Sequence, residues 1–145
     1  MNDVINSFRD ENYFLSNFYE APVKYDGILY QNNEAAFQAQ KYANKADRQR
    51  FVDLNSTEAR HLGRKISLRK DWEQVKISIM REIVEAKFEQ NPQLREMLLA
   101  TGDAYLEEGN TWGDRTWGTV NGVGANNLGR ILMDVREGLR TLERP

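Results

Sequence analysis

The sequence predicts a helix-rich α+β domain, with about six helices and a small antiparallel sheet near its start. Three observations lead there. Asp26 and Gly27 sit between alternating apolar residues and mark an early hairpin. From Asn32 onward, capping residues and apolar positions at helical spacing recur almost to the end of the chain. No repeat, low-complexity tract or linker interrupts them, so 145 residues are read as one domain over positions 1–145, long enough to bury roughly 68–70% of the unfolded surface.

Taken in order, Val4 to Arg9 alternates and reads as a short strand, whereas Tyr13 to Tyr19 is too aromatic, and too interrupted by Ser16 and Asn17, to be more than an ordered loop. Pro22 to Tyr30 is the hairpin, with Val23 and Tyr25 on one face across from Ile28 and Tyr30. Asn32 or Asn33 then caps a helix from Glu34 to Lys41. On that helix Glu34, Gln38 and Lys41 form one polar stripe, and Ala35, Ala36 and Ala39 cover much of the remaining surface. Alanines let neighbouring elements approach, so the stripe can line a narrow cleft, a carboxylate with a nearby cation aimed at a small charged ligand. The alternative is an acid favoured in a first helical turn and a lysine in open solvent.

Asp47 to Leu54 and Asn55 to Ile66 read as two shorter helices, the second opened by an Asn55/Glu58 capping box and containing Gly63 beside Arg64. His61, the one histidine, lies between Arg60 and Leu62 and reads as a surface residue. Asp71, paired with Gln74, caps a long central helix whose broad apolar arc includes Trp72, Val75, Ile79, Ile83, Val84 and Phe88. Asn91 and Pro92 open another helix that stops near Gly102. The last helix carries Leu128, Ile131, Leu132, Val135 and Leu139 on one face. Gly129 in its first turn implies a close approach to the backbone, for which an anion is one candidate.

Between these last helices, Asp103 to Asn127 concentrates Trp112, Gly113, Asp114, Trp117, Gly118, Gly122, Gly124, Asn126 and Asn127. Glycines allow unusual backbone conformations and tryptophans offer flat surfaces. Such a loop either holds a base or a sugar or plugs the core with its tryptophans.

Composition narrows the function. The chain has no cysteine, which excludes thiol catalysis, cysteine-ligated zinc and disulfides and fits a reducing cytoplasm. Its start lacks the basic and apolar regions of a signal peptide, and no apolar run approaches the ~18 residues of a membrane span. No membrane partner is expected. Twenty basic against 22 acidic side chains, a net charge of −2, supply no broad field for nucleic acid. A P-loop, a dinucleotide glycine fingerprint, a nucleophile elbow and a zinc-binding helix motif are all missing from the sequence.

Together these motifs resemble those of the YbiA-like family, also called NADAR for its association with NAD and ADP-ribose. The resemblance rests on Leu15 to Phe18, Tyr25 to Gly27, Glu34 with Phe37 to Lys41, Gly63-Arg64, Leu68 to Trp72, Lys87-Phe88, Trp112 to Asp114, Asn126 to Gly129 and Leu132-Met133. It runs from about Phe8 to Arg136, and the chain departs from the family pattern in extra residues between Asp114 and Gly124. The resemblance implies a small helix-rich domain that hydrolyses N-glycosidic bonds to ribose, in riboflavin intermediates for some members and in ADP-ribose on guanine for others.

Such chemistry suits these residue types. Breaking a ribosyl C1'–N bond builds positive charge on the sugar, so a carboxylate near C1' can stabilise the cation and align water. Glu34 is the first choice for that role, with Asp114 as the second carboxylate. Trp72 and Trp112, then Phe18, are candidate walls for a planar base. Lys41 and Arg64, with Arg69 behind them, are candidates for a phosphate, and Asn17 and Asn126 for polar edges of sugar or base. Nothing here demands a metal or another cofactor. Three functions follow: hydrolysis of a small ribosylated nucleotide-like substrate, removal of ADP-ribose from guanine in a nucleotide or nucleic acid, and binding of ADP-ribose without cleavage.

Overall fold

A computed structural model describes residues 3–143. In chain order its elements are β1 (Val4–Ile5), a 3-10 helix (Asp10–Leu15), β2 (Val23–Tyr25), β3 (Ile28–Tyr30), α1 (Asn33–Ala39), a 3-10 helix (Lys45–Phe51), α2 (Ser56–Gly63), α3 (Trp72–Gln90), α4 (Pro92–Ala100), β4 (Tyr105–Leu106) and α5 (Asn127–Glu143). This is the helix-rich α+β architecture that the patterning predicts. The described elements gather into two compact units, one within residues 17–91 and the other formed by residues 3–16 with 92–143. Among the described residues no helix is long and apolar enough to cross a membrane.

In the 17–91 unit the hairpin pairs Val23 with Tyr30 and Tyr25 with Ile28, the register expected from the alternation. Asp26 and Gly27 both take the positive φ, 48° and 81°, that a two-residue primed turn requires. Val23 and Tyr30 are fully buried, and Leu29 faces solvent. Asn32 caps α1 by accepting from the Ala35 N–H at 2.7 Å, worth about 1 kcal/mol. Its own amide donates to the Glu20 carboxylate and the Leu54 carbonyl. Ala35, Ala36 and Ala39 have no exposed surface, and α1 packs against α2 and α3. Both halves of the capping box form at Asn55 and Glu58.

Three local expectations are corrected. The loop expected over Tyr13 to Tyr19 is half occupied by a 3-10 helix, closed by the Ser16 N–H on the Tyr13 carbonyl. The helix expected over Asp47 to Leu54 is a 3-10 helix that starts and ends earlier. Its buried residues, Arg48 and Phe51, are three apart, which is one turn of a 3-10 helix and less than one of an α-helix. Asp71 makes no side-chain cap on α3, because its carboxylate is held by Arg69 at 2.6 Å. The helix expected after Asn91 does begin at Pro92, and the Asn91 amide also donates to the Lys87 and Pro22 carbonyls at the end of α3.

In the other unit β1 and β4 pair in parallel, Val4 beside Tyr105 and Ile5 beside Leu106. The predicted apolar face of α5, Leu128, Ile131, Leu132, Val135 and Leu139, is buried. Gly129 answers to the protein itself and not to an anion: a Cβ there would lie 2.2 Å from the Leu106 carbonyl and 2.5 Å from the Asn126 amide.

Candidate active site

Glu34 stands in the first turn of α1, where its backbone N–H donates to the Asn17 carbonyl at 3.1 Å. Its carboxylate is half-buried. Gln38, one turn on, donates Nε2 to Glu34 Oε1 at 2.8 Å. Lys41 lies just beyond the helix end, and the last turn tightens through the Lys41 N–H on the Gln38 carbonyl. That i to i−3 step keeps Lys41 on the same side as Gln38. The polar stripe expected of this segment therefore survives although α1 is only seven residues long.

Lys41 Nζ donates to the Gly63 carbonyl at 3.2 Å. Burial pulls the Lys41 ammonium below its ordinary pKa, Glu34 opposes that shift and Arg64 adds to it. Both charges are thus within electrostatic reach of the amine, and Glu34, Lys41 and Arg64 form one cluster, with Arg64 on its exposed side.

Asn17 is buried behind Glu34. Its Oδ1 accepts from Asn33 Nδ2 at 3.5 Å and its Nδ2 points to Met80 Sδ at 3.3 Å. Phe18, half-exposed, lies under the Arg60 guanidinium, 5.9 Å from the ring centre. Trp72 is 5% exposed with its ring 5.0 Å from that of Phe37, so most of its surface is spent on packing. Arg69 is paired to Asp71. His61 is exposed, as its neighbours in sequence suggested.

Of the remaining predicted residues, Asp114, Trp112 and Asn126 belong to the other unit. Asp114 Oδ1 accepts the backbone N–H of Thr116 and Trp117 at 3.0 and 2.9 Å, and Asn110 brackets its backbone on both sides. Trp112 is half-exposed with Arg9 5.8 Å above its ring. Asn126, fully buried with φ 53°, accepts from the Glu108 N–H and donates to the Leu106 carbonyl. It ties the loop to β4.

Three neighbours of these side chains, Gly63, Asn33 and Arg60, carry no site role in the sequence. Gly63 had a signal, since glycine inside a helix costs about 1 kcal/mol against alanine and calls for a packing reason. Asn33 and Arg60 had none. Among the described residues no group of three or more histidines and acids is arranged to hold a metal ion.

A half-buried carboxylate braced by an amide, with a partly desolvated cation in electrostatic reach, stands on a short helix after a hairpin in a helix-rich α+β fold. The fold is similar to that of a solved structure: the NMR structure of the E. coli protein YbiA superposes with a TM-score of 0.85 and 40% identity, covering 100% of this chain and 91% of that one. The NADAR domain profile matches residues 5–140, and the chain belongs to the NADAR domain family. It is 42% identical to N-glycosidase YbiA of Escherichia coli K12 over 96% of this chain and 91% of that protein. An N-glycosidase of Nostoc punctiforme is 39% identical over 88% of this chain and 86% of its own length. A riboflavin biosynthesis protein of Vibrio vulnificus matches at 39% over 90% of this chain, which covers 37% of that longer protein. The chain is accordingly an enzyme, a hydrolase acting on N-glycosyl bonds.

Proposed function

We propose that the substrate is a ribosylated base or phosphoribosylamine of the riboflavin-intermediate type, and that Glu34 drives cleavage of its C1'–N bond. The observation that carries this reading is the Glu34 carboxylate itself, braced at 2.8 Å by Gln38 and electrostatically coupled to a half-buried Lys41. As the bond breaks, its electron pair leaves with the base nitrogen and positive charge grows on the ribose, which the carboxylate stabilises. Water then adds its oxygen to C1'. One water proton passes to Glu34 and on to the departing nitrogen, so the carboxylate is regenerated. Lys41 and Arg64 bind the phosphate, and Asn17 holds a polar edge. Phe18 and the rim of Trp72 flank the base. Names of relatives in both N-glycosidase and riboflavin biosynthesis groups support this substrate class.

The test is to incubate purified protein with a panel of ribosylated substrates and follow base release by chromatography. Release from phosphoribosylated pyrimidines or phosphoribosylamines supports the proposal. Release only from ADP-ribosylated guanine would move the assignment to an ADP-ribosyl hydrolase, and binding of ADP-ribose without any release would move it to a binding module.

Two variants probe individual groups. Lys41→Met removes a half-buried ammonium that is not strongly stabilised where it sits, so the melting temperature should hold or rise. KM for a phosphorylated substrate should increase roughly 10- to 100-fold, the range for a charge-assisted hydrogen bond. An unchanged KM would remove Lys41 from the phosphate site. Asp114→Asn keeps the Oδ1 acceptor for Thr116 and Trp117 while deleting the charge. The melting temperature should therefore stay near wild type, with kcat down by about 10-fold or more if this carboxylate serves the reaction. A variant equal to wild type in both would leave Asp114 as the anchor of its turn alone.

A further inference from the structure

Gly63 ends α2 with no side chain to offer a ligand, yet the site is built against it. A Cβ at that position would lie 2.1 Å from Gln38 Oε1, 2.5 Å from its Cδ and 3.0 Å from its Cγ. The Gln38 amide thus fills the volume that any other residue at position 63 would claim. Gln38 is 9% exposed, and its Oε1 accepts no hydrogen bond from the described residues, while Nε2 donates to Glu34. Leaving a buried carbonyl oxygen without a donor is unfavourable. Gln38 nevertheless leaves its carbonyl oxygen unpaired against Gly63 while its Nε2 is committed to Glu34. The Gly63 carbonyl, meanwhile, accepts from Lys41 Nζ. One residue sets both ends of the charged stripe.

We infer that Gly63 is a positioning residue for hydrolysis: its missing side chain lets the Gln38 amide reach Glu34 and fix the carboxylate's direction. This rests on the reading of Glu34 as the working carboxylate. The competing explanation is that glycine merely allows α1 and α2 to pack closely, in which case substitution harms the fold and not the orientation of one acid.

The test is a double-mutant cycle of Gly63→Ala and Gln38→Ala, read by melting temperature, by kcat and KM, and by the side-chain carboxyl 13C signal of Glu34. Gly63→Ala should lower kcat by about 10²-fold, as misplacement of a reacting group does, with KM changed by less than about threefold. Gln38→Ala should do the same. Because Gln38→Ala removes the atoms that Cβ would strike, adding Gly63→Ala to it should cost less than about twofold more, the mark of two residues acting through one contact. The Glu34 carboxyl signal should move alike in all three variants. Losses that multiply in the double variant, or a carboxyl signal unmoved by Gly63→Ala, would overturn the inference. If Gly63→Ala alone does not fold, the double variant decides: it should fold and match Gln38→Ala, and failure to do so counts against the inference. Should Glu34→Gln turn over like wild type, the assignment of the working carboxylate falls. The 13C readout still decides whether Gly63 positions that side chain.

Discussion

Glu34→Gln should lower kcat for base release by about 10²- to 10³-fold, the loss seen when one electrostatic stabiliser of a transition state is removed. Glutamine has nearly the size of glutamate and retains an acceptor for Gln38 Nε2, which donates to Glu34 Oε1 at 2.8 Å, so the local packing has little reason to change. What disappears is the negative charge facing the developing sugar cation. Stability should fall modestly, by about the 0.3–1 kcal/mol that an acid in a first helical turn contributes together with its attraction for the half-buried Lys41 ammonium. The measurement pairs initial rates across the substrate panel with a thermal melt and a binding titration against ribose 5-phosphate. Wild-type turnover in a folded Glu34→Gln variant would remove Glu34 from the chemistry.

Lys87 should make folding stability depend on pH. It occupies α3 at a fully buried position, its Nζ 5.6 Å from the ring of Tyr19 and 5.1 Å from that of Phe88. Burial pulls its amine down from the ordinary lysine value to about 7. Between that value and the ordinary one the unfolded chain binds more protons than the folded chain, so stability rises with pH across the window. Below about 7 both states hold the proton and this contribution is gone. The gain from about pH 7 to pH 9 should be on the order of 2 kcal/mol, since each pH unit is worth at most about 1.4 kcal/mol per proton. Urea denaturation at several pH values measures it. Lys87→Met should abolish most of the slope, and an equal slope in both proteins would show that the amine titrates normally.

Lys87 also marks where pattern reading ends. The buried positions of α3 include Met80, Ile83, Val84, Lys87 and Phe88, spaced i, i+3, i+4, i+7 and i+8 as a core stripe should be. Four of the five are visible as apolar residues, whereas the charge of a lysine argues against the place in the stripe that its spacing supports. The hairpin, the capping box at Asn55 and the buried face of α5 were legible for the opposite reason. There the residue type and the local backbone demand agree, and each can be read from neighbours in sequence. The capping role expected of Asp71 failed because the carboxylate had a nearer partner in Arg69, a competition that propensity alone does not rank.

The site divides along the same line. Residue spacing was enough to put Glu34, Gln38 and Lys41 on one side of a short helix after a hairpin, since helical geometry needs only the chain itself. The seat of Gln38 beneath Gly63, the Lys41 hydrogen bond to the Gly63 carbonyl and the pairing of Phe37 with Trp72 join residues from 22 to 35 positions apart. Contacts at that separation follow from how helices pack in three dimensions, and no local periodicity encodes them.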